Sequence, residues 1–318
     1  MMAEQTQTKT RYSVSVIIVN YNGGDDVAAC LGSVMKSDCS DELEVIVVDN
    51  GSSDGSQQRI KREFAEVELI ELGENKGFAA GCNAGIGAAH AGTILLLNPD
   101  TEVSVSAISR MHSALSEHPH WGIAGARMRD GKGDVYRAAR RFPKPRDLSY
   151  QATGMARLFS SSKKFNGYLY GERKIEELDE VEQVEGSCLM ISAAAREKVG
   201  LLDERFFIFF EEVDWCKRVK DAGYEIHVVN DAEVSHKVST TMGKYYEFTR
   251  AVHAQSAMKY FRKHEGEEGY RAIRTVMTKA LLLRAVILAL PALFGIGNAR
   301  RRFTGALIER RAYAVGIE

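Results

Sequence analysis

Cysteine is scarce and scattered in this chain: five residues in 318, Cys30, Cys39, Cys82, Cys188 and Cys216, with no C-x-x-C pair. An odd, unclustered set suggests neither a zinc knuckle nor a disulfide framework, and a reducing cytosol suits it best. Charge of one sign is also missing. A formal net charge of −1 gives no electrostatic reason to expect a nucleic-acid partner. No hydrophobic run is long enough to span a bilayer, because "ALLLRAVILALPALFGIG" is broken by Arg284 and Pro291, leaving the twelve residues 285–296. The opening "MMAEQTQTKTRYS" lacks an apolar h-region, so no secretory signal is expected. Two nucleotide loops are absent as well. The turn after the first candidate strand reads N-Y-N-G-G-D-D rather than G-x-G-x-x-G, and "GFAAGCNAGIG" (77–87) follows the third strand with the wrong spacing. There is no G-x-x-x-x-G-K-[ST] either, which removes both a dinucleotide-dependent oxidoreductase and a P-loop NTPase.

With 45% hydrophobic and 27% charged residues, the chain buries a substantial core and suits one large or two small domains. Its charge is unevenly spread. Residues 269–318 hold nine Lys or Arg against Glu309 and Glu318, a local +7 that leaves residues 1–268 at −8. Two readings of that tail stand: a core-packing helix with a solvated Arg cluster, or a segment lying on a membrane surface.

Along the chain, "VSVIIV" (14–19), "LEVIVV" (43–48), "VELIEL" (67–72) and "TILLL" (93–97) read as buried strands, each ended by turn-forming residues. Helical patterns near 26–37, 56–64, 78–91 and 103–117 lie between and after them. Such alternation predicts an α/β fold with a mostly parallel central sheet flanked by helices. Ligands in sheets of this kind collect at the carboxyl ends of the strands. Those ends carry Asn20-Tyr21-Asn22, Asp49-Asn50, Asn75-Lys76 and Asn98-Pro99-Asp100. Asn, Asp and Gly also form turns for their own sake, but four polar loops in order are suited to surrounding a nucleotide. A carboxylate such as Asp100 ending a buried strand suits Mg²⁺ or Mn²⁺, which bridges diphosphate oxygens.

A second signal is "FIFFEEVDWCKR" (207–218), in which three acids follow a run of aromatics. On a helix over 211–222, Glu211, Asp214 and Arg218 share a face while Glu212 points about 100° away. Asp214 and Arg218 read as a supporting pair, and acids in a first turn favour the helix dipole. Phe206, Phe207, Phe209 and Phe210 are expected mainly in the core. "VEGSCLMI" (184–191) reads as a strand. The stretch 129–183 has no clear periodicity and is expected to hold a mobile loop, and "KYYEFTRAVHAQSAMKYFRKH" looks helical.

Five segments, "VSVIIVNYNG", "LEVIVVDNGSSDGS", "NKGFAAGCNAGI", "LLLNPDT" and "FIFFEEVDWCKRVKDAGYEIHVVNDAEVSH", occur in an order and spacing that resemble glycosyltransferase family 2, inverting enzymes of the GT-A fold, and in particular its rhamnosyltransferase-like branch. The resemblance covers roughly residues 13–240 and implies a flexible N-terminus (1–12), a catalytic domain (13–120 for the nucleotide sugar, 121–240 for the acceptor) and a basic, helical, membrane-associating C-terminal segment (241–318). It implies a nucleotide-sugar site from Val19, Asn20, Tyr21, Asn22, Asp49, Asn50, Asn75, Lys76, Asn83 and Asn98, with Asp49 reading a pyrimidine base, so that a dTDP- or UDP-sugar is expected. Where the family usually has Asp-x-Asp this chain has Asn98-Pro99-Asp100, one charge fewer. Asp100 and His236 are the implied ligands of a divalent metal, Mg²⁺ or Mn²⁺. Glu212 is the implied base with Glu211 as runner-up, and Glu185, Gly186, Glu211 and Trp215 the acceptor side. L-rhamnose from dTDP-rhamnose, passed to a polyprenyl-diphosphate-linked glycan by a cytoplasmic enzyme peripheral on the inner membrane face, is the implied reaction; a UDP-hexose or UDP-N-acetylhexosamine is the alternative donor. A nucleotidyltransferase is disfavoured by the acidic "NYNGGDD". A degenerate nucleotide- or sugar-binding module is the remaining reading of another class.

Overall fold

Every residue of β1 (Val14–Asn20) and β2 (Leu43–Asp49) is buried, as expected of central strands in a sheet covered on both faces. The computed structural model describes residues 12–237 and 245–317. The proposed N-terminal tail (except Tyr12) and the proposed boundary at 240/241 lie outside these residues. β1 runs parallel to both β2 and β4 (Thr93–Leu97), and β3 (Glu68–Glu71) runs parallel to β2 at one edge. Beyond β4 the sheet continues through β7 (Cys188–Ile191), antiparallel to its neighbours, then β6 (Trp121–Arg129), β8 (Glu225–His236) and β5 (Thr101–Val103). The order is β3-β2-β1-β4-β7-β6-β8-β5.

The pleat sends alternate residues of β1 to opposite faces. Val14, Val16 and Ile18 join a core with α1 (Gly24–Val34) and α4 (Ala107–Glu117); Ile17 and Val19 join another with α3 (Phe78–Ala88) and α9 (Glu211–Asp221). A short α2 (Ser56–Glu63) precedes β3. All five cysteines are free.

Three features differ from the sequence reading. Thr101–Val103, where the sequence reading passes from the turn after the fourth strand to a helix near 103–117, is strand β5: Thr101 pairs with His236 across an antiparallel ladder, and three residues are too few to show a period. The stretch 129–183 contains α5 (Pro145–Thr153), α6 (Met155–Leu158) and α7 (Lys163–Asn166), helices too short to register as periodic. It is pinned by Arg140 and Gln183 exchanging backbone hydrogen bonds and by an Arg141–Glu172 ion pair at 2.6 Å. Finally, the apolar stretch is not an isolated dozen residues. It ends α10 (Tyr246–Leu293), a helix kinked at Gly266 (φ +68°) that is long and apolar enough to cross a membrane by length and composition, with mean hydropathy 1.9 over its most apolar window. α8 (Ala193–Val199) precedes α9, and α11 (Ala299–Val315) packs back on α10. A third core joins Phe206, Phe210 and Val213 to Ala257, Phe261, Ile273 and Leu281 of α10 and Tyr313 of α11. The aromatic run thus fastens the C-terminal helices to α9.

Candidate active site

The loops at the ends of β1 and β2 are locked together by their own side chains. Asn20, fully buried, donates from Nδ2 to Asp49 Oδ1 (2.9 Å), Ser52 Oγ (3.1 Å) and Ser56 Oγ (2.8 Å). Asp49 is 1% exposed, and its Oδ2 accepts from the Ser52 N–H (2.9 Å) and Gln57 Nε2 (3.0 Å). A carboxylate has about four lone-pair directions, and three of those of Asp49 are taken by Asn20, Ser52 and Gln57. Asn22 adopts a left-handed conformation (φ +53°) and accepts from the Ser53 N–H at 2.8 Å. Asn50 ties in the third loop, donating to Asn75 Oδ1 (3.1 Å) and Gly77 O (3.0 Å) and accepting from the Lys76 N–H (2.9 Å). Val19 turns its side chain into the core, where a Cβ on Gly81 would stand 2.8 Å from it. Tyr21 instead faces Tyr245, ring centroids 6.2 Å apart.

Two expected ligand contacts are structural. Asn83 donates to Leu202 O (2.9 Å) and Glu204 Oε1 (2.9 Å) and accepts from the Leu202 N–H (3.0 Å), leaving its amide committed to holding 202–204 on α3. Trp215, expected on the acceptor side, is fully buried with its indole N–H on Gly200 O at 2.9 Å.

Asp100 and His236, 136 residues apart in sequence, meet because β5 pairs with β8 and Lys237 N–H donates to Asp100 O at 3.0 Å. His236 Nε2 lies 3.2 Å from Asp100 Oδ1. The other ring nitrogen is 2.9 Å from Tyr136 Oη, which lies 3.0 Å from Glu185 Oε2; Glu185 Oε1 is gripped by Arg140. Tyr136 Oη thus bridges His236 and Glu185, orienting the imidazole so that its Nε2 faces Asp100. Among the described residues no third His, Cys, Asp or Glu completes a cluster. The pair therefore fits a hard or borderline divalent ion shared with diphosphate oxygens, not one caged by protein alone.

The acidic pair sits across the same loop crossing. Asn98 N–H donates to Ser187 O at 2.9 Å, which brings Glu185-Gly186 beside Asn98, and a Cβ on Gly186 would stand 3.2 Å from Glu212 Cβ. Phe209 and Phe210 both hold positive φ (+67° and +68°) immediately before the pair. Two non-glycine residues in that region store strain that the core around Phe210 must offset, and the result is a sharp entry that puts Glu211 and Glu212 in the first turn of α9. Gly77 accommodates the bend: at φ +93° it lies against Phe207, whose carbonyl would be 2.5 Å from an added Cβ. Each glutamate has an Oε2 without a hydrogen-bond partner. Burial, then the charge of Glu212, push the Glu211 carboxyl well above the usual carboxylate range; burial raises Glu212 too, with Arg140 opposing it. Glu212 faces Gly186 and the charge of Arg140, whereas Glu211 is 4% exposed.

Sequence reasoning missed Gln57, Tyr136, Arg140 and Tyr245. Only the Arg-rich "RAARRF" hinted at one of them, and nothing in its spacing points to Glu185. One consequence concerns stability. Because the folded state raises the Glu211 pKa, it binds more protons than the unfolded chain, so stability is full below the ordinary carboxylate pKa and falls as pH rises through the folded value. Glu211→Gln is expected to stabilise the fold by roughly 0.5–2 kcal/mol at about pH 8 and hardly at all at about pH 4; denaturant melts at both values check this, and equal effects at both would refute it.

A mostly parallel, doubly covered sheet with polar strand-end loops and an Asp–His pair is the architecture of a nucleotide-sugar transferase. A mannosyltransferase from Pyrobaculum calidifontis, solved with GDP-Man and Mn²⁺, superposes with a TM-score of 0.58 at 17% identity over 96% of this chain and 87% of its own, a likeness of the GT-A fold. The profile of Glycosyl transferase family 2 matches residues 15–180, and the chain belongs to that family. It is similar to N-acetylglucosaminyl-diphospho-decaprenol L-rhamnosyltransferase of Mycobacterium tuberculosis, 29% identical over 286 residues and covering 85% of this chain and 91% of that protein. It is also similar to the dTDP-rhamnosyl transferase RfbF of Shigella flexneri, at 23% identity over 79% of this chain and 77% of that one. The protein is a glycosyltransferase with rhamnosyltransferases among its relatives.

Proposed function

We propose that this glycosyltransferase moves L-rhamnose, with inversion, from dTDP-rhamnose to a lipid-linked glycan at the cytoplasmic face of the inner membrane. The observation that carries the mechanism is the position of Arg140, which grips Glu185 and also acts on the charge of Glu212. Through Tyr136 that same Glu185 reaches His236, so one guanidinium links the diphosphate end of the site to the base end. The two relatives named above, a dTDP-rhamnosyl transferase and a rhamnosyltransferase of a diphospho-decaprenol substrate by their names, support the choice of donor and acceptor.

In this reading the nucleoside lies between the Asn20–Asn22 and Asp49–Asn50 loops, with the base imide N–H reaching Asp49 as the Gln57 amide gives way and Asn75 and Lys76 at the pocket's outer wall. Asp100 and His236 would hold Mg²⁺ or Mn²⁺, which supplies positive charge for the diphosphate leaving group. Asn98 contributes no charge, so affinity for the ion depends on the nucleotide. Glu212 takes the proton of the acceptor hydroxyl as that oxygen attacks the anomeric carbon from the face opposite the departing dTDP. Glu185 and Gly186 line the acceptor side, and Glu211, whose carboxyl burial raises well above the usual range, contacts the sugar or acceptor.

Thermal shift with a panel of nucleoside diphosphates and sugars, with and without Mn²⁺, tests this, since a ligand that binds the folded state raises stability by mass action. Selective, metal-dependent stabilisation by dTDP-rhamnose is the expected result. A preference for UDP-hexose or UDP-N-acetylhexosamine would reassign the donor, a purine preference would overturn the role of Asp49, and binding without turnover would mark a binding module.

A further inference from the structure

Between Leu281 and Leu293, α10 is apolar on every side except at Arg284, which donates to Ala152 O at 2.6 Å. Helices apolar all round are found buried. Here one side is: Leu281, Ala285 and Leu288 are buried, the first two in the core that includes Phe206 and Phe210. The opposite side carries Leu282, Leu283, Val286, Ile287, Leu290 and Leu293, continued by Phe294 and Ile296, each between 47% and 77% exposed. This stripe runs for about 20 Å at the helical rise, and an exposed apolar patch of that kind marks a contact surface. Because the buried side is held against the catalytic half, the helix is placed to lie in an interface and not to span.

Charge selects the partner. The stripe ends at Arg300, Arg301 and Arg302, all exposed, at the start of α11. Gly297, Asn298, Arg300, Arg301 and Thr304 line, with Tyr246 and Glu247, a cavity of about 370 Å³, whose two guanidiniums outnumber its one carboxylate. The Arg301 guanidinium stands 4.4 Å over the Tyr246 ring, and the neighbouring Tyr245 faces Tyr21 of the nucleotide loop. An apolar stripe bordered by cations suits a bilayer surface bearing anionic phosphates.

We propose that the 282–296 face seats the enzyme on an anionic bilayer, with the Arg300–Arg301 cavity taking a lipid-borne phosphate at its edge. This deepens the lipid-linked acceptor reading and rests on it. The test is flotation of the full chain with phosphatidylcholine vesicles with and without phosphatidylglycerol. At least about tenfold tighter binding to the anionic vesicles is expected. Val286→Glu with Leu290→Glu is expected to abolish attachment to both. Arg300→Glu with Arg301→Glu is expected to reduce anionic binding to the neutral level, and inorganic pyrophosphate to compete only in the wild type. Both double variants should keep wild-type melting and donor hydrolysis in solution. Absence of vesicle binding, or binding indifferent to the Val286/Leu290 pair, overturns the proposal. So does a wild-type dimer that becomes monomeric with those substitutions, which would assign the face to a second copy. Transfer to a water-soluble acceptor without vesicle binding would sink the docking and leave the proposed reaction standing.

Discussion

Replacing Glu212 by Gln is expected to lower kcat by roughly 10²–10⁴, the range lost with a positioned general base, while leaving nucleotide binding and the melting temperature close to wild type. Gln has the same shape and fits the same space beside Gly186, but it cannot accept a proton. The wild-type rate is also expected to rise with pH through an inflection above the usual carboxylate range, because burial raises the Glu212 pKa and Arg140 only partly restores it; in Glu212→Gln that inflection disappears. Steady-state transfer and donor hydrolysis across pH measure both effects. If Glu212→Gln turned over at the wild-type rate while Glu211→Gln did not, the base would be Glu211, and the more buried and more strongly perturbed carboxylate would be the reactive one.

Which parts of this site were legible follows from the distances over which each depends on sequence. The strand-end loops depend on residues within one turn, and Asn20, Asp49, Asn50 and Asp100 stand where β-branched runs stop. The Asp214–Arg218 pair followed from helical spacing and lies at 2.9 Å. The side chains around these groups were not legible. Tyr136 reaches His236 across 100 residues and Arg140 reaches Glu185 across 45, in a segment whose helices are too short to show a period. Asn83 and Trp215 illustrate the opposite error. Each stands among motif residues, yet a neutral amide can clamp a loop as well as bind a sugar, and a tryptophan with its N–H satisfied packs in a core. The exposed face of α10 was hidden for a different reason: an apolar run is the same string of letters whether one side or both are covered, and only Leu281 and Ala285 packing inward made the outer stripe visible.

The largest loss of stability is expected from Asp214→Ala. Its side chain is fully inaccessible, and its carboxylate holds two cations and an imidazole: Arg218 through Oδ2 at 2.9 Å, and Lys263 and His264 through Oδ1 at 2.6 and 2.8 Å. Lys263 and His264 lie on α10, so this one carboxylate pins the C-terminal helices to α9 directly behind the Glu211–Glu212 turn. Removing one partner of a buried ionic group costs about 3–5 kcal/mol; Lys263 keeps its ion pair with Asp203 at 2.8 Å and Arg218 its bonds to the Val199 and Leu201 carbonyls, which places Asp214→Ala toward the lower end of that range. Burial alone would raise the Asp214 pKa, but hydrogen bonds from His264 and Lys263 bring it below the usual range. A depressed folded pKa contributes stability above the unfolded pKa that is lost as pH falls through the folded one. The deficit of Asp214→Ala in denaturant unfolding should therefore be full at neutral pH and shrink in acid. A neutral-pH deficit under about 1 kcal/mol, well short of the buried-pair range, would mean that the aromatic core of Phe206, Phe210 and Phe261 holds α10 in place without this carboxylate. A full deficit with an unchanged kcat in the surviving folded enzyme would confine the role of Asp214 to support, separating it from the neighbouring glutamates proposed to act on the substrate.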